Sequence, residues 1–138
     1  MKKYILTALV AITLLSGCNQ PQADSHAAEH TVTGHTDAAT KLSPEEFKAK
    51  QATGEGVVID VRKPEEYAEG HLKGAANLDY AGGVFEQELA KLDKSKTYYL
   101  YCKSGNRSGK SAKLMKEAGF EHVYNVGGIE ALKEAGIE

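Results

Sequence analysis

Cys102 to Ser108, read Cys-Lys-Ser-Gly-Asn-Arg-Ser, is the stretch whose side chains could do chemistry. A thiol is followed by four residues and then by a guanidinium, with Lys103, Ser104, Gly105, Asn106 and Ser108 around them. An aromatic and apolar run over residues 98–101 precedes it, and Ser111, Leu114, Met115 and Ala118 follow at the spacing of one helix face. A loop that ends a strand and opens a helix gathers backbone N–H groups, because the first helical turn leaves its donors unpaired and its dipoles favour negative charge. Such a loop cradles an anion. A thiol at its mouth is stabilised as thiolate and becomes a candidate nucleophile. The opposing reading is that Cys102 is a small buried hydrophobe at a strand end. No apolar side chain follows it until Ala112, so the surroundings are cationic and donor-rich and favour the reactive thiol. Gly105 permits a left-handed backbone turn that aims successive N–H groups inward, and Arg107 closes the loop with a planar fork suited to an oxyanion.

The elements that must position this loop are legible on both sides of it. Ser43-Pro44-Glu45-Glu46 is a helix start with a capping serine, a proline at the first helical position and a glutamate that completes a capping box. Residues 57–61 form a nearly continuous β-branched run, the pattern of a strand inside a parallel sheet, with Asp60 near its end. Pro64 to Tyr67 opens a brief helix, residues 70–78 pass through a turn into a short strand, and Phe85, Leu89 and Leu92 carry helical spacing. After Gly119 and Phe120, residues 122–126 read as the last strand, and Gly127-Gly128 leads into a helix over 129–135. Strands alternating with helices give an α/β fold with a parallel sheet covered on both faces. Ligands in such sheets bind beyond the carboxyl ends of the strands, where Cys102 and Asp60 both fall.

The chain has 138 residues and a formal charge of −2, enough for one domain and without the basic block that nucleic-acid binding needs. Lys2 and Lys3 precede an apolar run over residues 4–15, too short to span a bilayer. This is the pattern of a secretory signal over residues 1–17. It ends in Leu15-Ser16-Gly17-Cys18, which resembles the bacterial lipoprotein signal, so Cys18 is expected to carry a lipid anchor that holds the protein on a membrane of the cell envelope. Residues 18–40 are polar and read as a flexible tether. His26, His30 and His35 lie in it without the spacing of a dedicated metal site. With Cys18 used as an anchor, Cys102 is the one free thiol expected in a compartment that favours disulfides. Any sulfur it carries must therefore pass to an external acceptor.

Asp60-Val61-Arg62, Glu66-Tyr67 with Gly70-His71-Leu72 and Gly74-Ala75-Ala76-Asn77, the Cys102 to Ser108 loop, Gly119-Phe120 and Gly127-Gly128-Ile129 together resemble a single rhodanese (sulfurtransferase) domain spanning residues 41–138. The resemblance implies a five-stranded parallel sheet in a three-layer α/β/α sandwich, with Cys102 after the fourth strand. It implies that the Cys102 thiolate takes the outer sulfur of a small-molecule donor such as thiosulfate, becomes a persulfide, and passes that sulfur to cyanide, a thiol or a protein acceptor. Residues 103–108 would bind the donor, with Lys103 and Arg107 orienting it. Asp60 and Arg62 match the family's strand-end pair and would pin loops beside the pocket, Arg62 pairing with Glu66 or another nearby carboxylate. His71 would satisfy a turn. Neither a cofactor nor a bound metal is expected. Cysteine phosphatases and arsenate reductases on a comparable cradle place five residues between cysteine and arginine; here there are four, which favours sulfur over phosphate. A slower alternative is a module that holds a persulfide without rapid turnover. Leu132 stands where the family often has tryptophan, which bears on the packing of the last helix.

Overall fold

The computed structural model describes residues 39–138. The signal segment, the Cys18 anchor and the histidines of the tether lie outside the described residues. The elements run β1 (Thr40–Lys41), α1 (Pro44–Gln51), β2 (Val57–Asp60), α2 (Pro64–Glu69), β3 (Ala76–Asn77), α3 (Val84–Leu89), β4 (Thr97–Cys102), α4 (Asn106–Glu117), β5 (His122–Gly128) and α5 (Ile129–Glu134). All strand pairs are parallel, in the order β1-β5-β4-β2-β3. This is the expected five-stranded sheet, and β4, which carries Cys102, lies at its centre.

Local chemistry accounts for the boundaries. The Ser43 hydroxyl accepts from the Glu46 N–H at 3.2 Å while the Glu46 carboxylate accepts from the Ser43 N–H at 2.7 Å, so the capping box that opens α1 is complete. β4 alternates strictly. Tyr99 and Tyr101 face a cluster with Phe47, Leu72, Ile129 and Leu132, whereas Tyr98, Leu100 and Cys102 face a second cluster with Ile59, Phe85, Ala112 and Met115. The two faces of the sheet are thus covered by α1 and α5 on one side and by α3 and α4 on the other. Leu132 is fully buried, so this aliphatic side chain packs the last helix into the first cluster. The buried face of α4 is Ser108, Ser111, Ala112 and Met115, one step round from the expected stripe, with Leu114 and Ala118 at its half-buried margin.

Two elements depart from expectation. The helix containing Phe85 ends at Leu89, and Leu92 closes a turn instead. β5 extends through Gly128 and contains an irregularity: Leu100 pairs with Asn125 and Tyr101 with Gly127, leaving Val126 as an extra residue. Such a bulge bends the strand and re-aims its side chains. No helix of the described residues is long and apolar enough to cross a membrane.

Candidate functional site

The site is assembled where β4 ends. Cys102 is the last residue of the strand, Gly105 caps α4 in a left-handed conformation (φ 90°), and α4 runs away from the loop. A side chain at Gly105 would be strained at that φ, and its Cβ would lie 3.2 Å from the Gly127 Cα. Gly128 is closer still, with a would-be Cβ 2.6 Å from the Lys103 carbonyl oxygen. The loop therefore lies directly against the double glycine of β5: Gly128 has no room for a side chain because the loop occupies the space, while Gly127 takes a left-handed φ of 96° that favours glycine.

The N–H groups do turn inward. The Gly105 N–H donates to the Cys102 Sγ at 3.1 Å, and the Ser108 hydroxyl lies 3.5 Å from the same sulfur. Burial of Cys102 pushes its thiol pKa up, but the Ser108 hydroxyl and the N–H groups of Ser108, Ser104 and Gly105 outweigh burial and hold it below the ordinary thiol value. The expected location needs correction: Cys102 is 0% exposed and sits at the floor of the loop, not at its mouth. The reason is strand alternation, which puts it on the same inward face as Tyr98 and Leu100. Lys103, Ser104 and Asn106 are exposed above it, while Gly105 and Arg107 are half-buried.

Of the charged side chains, Arg107 pairs differently from expectation. The Arg107 Nη1 and Nη2 donate to the two Glu66 oxygens at 2.6 and 2.9 Å, so the fork that could have held an oxyanion holds α2 against α4. The Arg107 hydrogen bonds keep the Glu66 carboxyl down at about 2 despite partial burial. Arg62 pairs with Asp60, a nearby carboxylate of the kind expected, and not with Glu66. Its Nη2 donates to Asp60 Oδ2 at 2.7 Å and to the Gly70 carbonyl at 2.7 Å, while the Asp60 Oδ1 accepts from the Arg62 N–H at 2.9 Å. Both side chains are buried, and the Arg62 guanidinium also lies 5.8 Å from the centre of the Tyr101 ring. They tie the end of β2 to the end of α2. His71 stacks on Tyr67 at 3.7 Å and its Nδ1 lies 3.0 Å from the Tyr67 carbonyl, which fits the turn-holding role expected of it.

Sequence reasoning passed over Asn125. At the bulge, its Oδ1 accepts from the Ser108 hydroxyl at 2.8 Å and from the Gly127 N–H at 3.0 Å, and its Nδ2 donates to the Gly105 carbonyl at 3.1 Å. The available signal was a single amide set within Val123-Tyr124-Asn125-Val126. Among the described residues, no three His, Cys, Asp or Glu side chains are grouped so as to hold a metal ion.

The family model described as Rhodanese-like domain matches residues 43–135. Thiosulfate sulfurtransferase PspE of Escherichia coli (strain K12) is 38% identical over 72 residues, which is 52% of this chain and 69% of that protein. Thiosulfate sulfurtransferase GlpE of Pseudomonas entomophila (strain L48) is 37% identical over 91 residues, 65% of this chain and 81% of that protein. The crystal structure of a rhodanese-like domain protein from Staphylococcus aureus superposes with a TM-score of 0.62 at 29% identity, covering 72% of this chain and 96% of that one.

Proposed function

Because this chain belongs to the rhodanese-like domain family, we propose that it moves a sulfane sulfur from a donor such as thiosulfate to a thiophilic acceptor through a persulfide on Cys102. The observation that carries this reading is the Gly105 N–H aimed at the sulfur from 3.1 Å inside a loop with four residues between cysteine and arginine. The Cys102 thiolate attacks the outer sulfur of thiosulfate. A sulfur–sulfur bond forms at Cys102 as the donor's own bond breaks, and sulfite leaves with the electron pair. An acceptor such as cyanide or a thiolate then attacks the outer persulfide sulfur, and the Cys102 thiolate leaves. The same N–H groups stabilise the sulfur when it is nucleophile and when it is leaving group. Nothing in either step needs a separate base, because the thiol is already acidified.

Lys103 attracts an anionic donor, while the exposed Ser104 and Asn106 line its approach and the buried Ser108 hydroxyl faces the sulfur. Arg107 contributes charge from within its pair with Glu66, and Asp60 with Arg62 holds the neighbouring chain. The proposed setting is the cell envelope, with Cys18 lipidated and the domain tethered outside the cytoplasm.

Incubation of the protein with thiosulfate, followed by mass spectrometry, should show one added sulfur atom on Cys102 and none on a Cys102→Ala variant. Absence of the adduct from the unmodified protein would end this reading. The complete burial of Cys102 favours a second one, a module that holds its persulfide without rapid turnover. A persulfide that forms but turns over negligibly with cyanide would select it. Hydrolysis of a phosphate ester without any persulfide would instead point to phosphatase chemistry.

A further inference from the structure

The Ser108 hydroxyl has one proton and two acceptors, the Cys102 Sγ at 3.5 Å and the Asn125 Oδ1 at 2.8 Å. It cannot serve both. The amide orientation of Asn125 is fixed by its other contacts, because Nδ2 faces the Gly105 carbonyl and Oδ1 faces the Gly127 N–H. An acceptor oxygen is thus held against Ser108 by the bulge in β5. We propose that Asn125 is a positioning residue that competes with the Cys102 sulfur for the Ser108 proton and so sets how strongly the thiolate is stabilised.

The consequence for sulfur transfer rests on the sulfurtransferase reading. In the persulfide, the sulfur bonded to Cβ carries little charge and accepts weakly, so the Ser108 proton rests on Asn125. As the thiolate leaves, its growing charge draws the proton across. Asn125 Oδ1 keeps the Gly127 N–H throughout, so the swing strands no buried acceptor. The hydroxyl is therefore a two-position donor that follows the charge on sulfur, with Asn125 as its resting place. The charged groups around the sulfur stay the same in every variant below. They are Arg107 on α4, which is attracted to the thiolate, with Asp79 ahead of α3 and Glu66 on α2 facing that arginine, and the exposed Lys103 beside the loop.

The test titrates Cys102 in the full chain by thiolate ultraviolet absorbance, taken as the difference from Cys102→Ser. Asn125→Ala and Asn125→Leu, the second filling the volume without an acceptor, should each lower the thiol pKa by about half a pH unit, since the proton then serves sulfur alone. Ser108→Ala should raise it, and adding Asn125→Ala to Ser108→Ala should change nothing further. An unchanged or raised pKa in a folded Asn125 variant overturns the proposal, because a residue that only braced the loop would loosen the Gly105 N–H and weaken the thiolate. A further change in the double variant overturns it too, since Asn125 would then act independently of Ser108. The titration needs no sulfur donor, so its failure is distinct from a failure to form persulfide.

Discussion

Among single residues, the Cys102 sulfur accepts the Gly105 N–H at 3.1 Å and lies 3.5 Å from the Ser108 hydroxyl, and its thiol is held below the ordinary value. Cys102, Gly105 and Ser108 are brought together as the loop chemistry requires, because a strand end and a helix start have unpaired N–H groups wherever they meet. The partner of Arg107 was not legible. Glu66 stands 41 positions away, and no local pattern ties a guanidinium to one carboxylate among the 19 acidic residues. That pairing changes the expected effect of substitution. Arg107→Ala should destabilise the fold by about 1–2 kcal/mol in urea titration, as a half-buried bidentate pair is lost. Lys103→Ala, at an exposed position, should leave stability unchanged and raise the KM for thiosulfate roughly twofold to fivefold at low salt, an effect that fades as ionic strength rises. An Arg107 variant with full stability, or a Lys103 effect indifferent to salt, would contradict these assignments.

Among the elements, capping boxes and runs of β-branched or aromatic residues carry their signals within a few residues, which is why α1, β2 and β4 stand close to where the sequence sets them. The bulge in β5 has no such local signature, because it arises from how β5 is paired against β4, and Asn125 was missed with it. The depth of Cys102 could have been read from the alternation of Tyr98, Leu100 and Cys102, which share a face. Two substitutions probe these supports. Asp60→Asn leaves the buried Arg62 charge without its carboxylate and should cost about 3–5 kcal/mol, measured as a lower denaturation midpoint. Gly128→Ala pushes a methyl group toward the Lys103 carbonyl and should cost about 1–3 kcal/mol while raising the Cys102 thiol pKa, because the loop must move off β5. Thiol titration unchanged in a folded Gly128→Ala protein would show that the loop does not depend on that wall.

At the scale of the whole molecule, a single parallel sheet separates two apolar clusters, and the Glu66–Arg107 pair joins α2 to α4 at the end of the sheet that carries Cys102. Since Arg107 lowers the Glu66 carboxyl to about 2, the folded state binds that proton less readily than the unfolded chain. Stability from the pair is therefore fully present above the ordinary carboxyl value and is lost as pH falls through about 2. With a quarter of each side chain exposed, water screens the pair, and the loss should be about 1–2 kcal/mol. Urea midpoints measured at successive pH values should decline over that interval, and a Glu66→Gln protein should lack that share of the decline. The depth at which the sulfur lies governs also what it refuses. A chromogenic aromatic disulfide needs room for its ring beside the attacking atom, and a second protein molecule needs far more, so covalent capture by either is hindered. Under oxidising conditions the same depth should hinder disulfide cross-linking of two copies through Cys102.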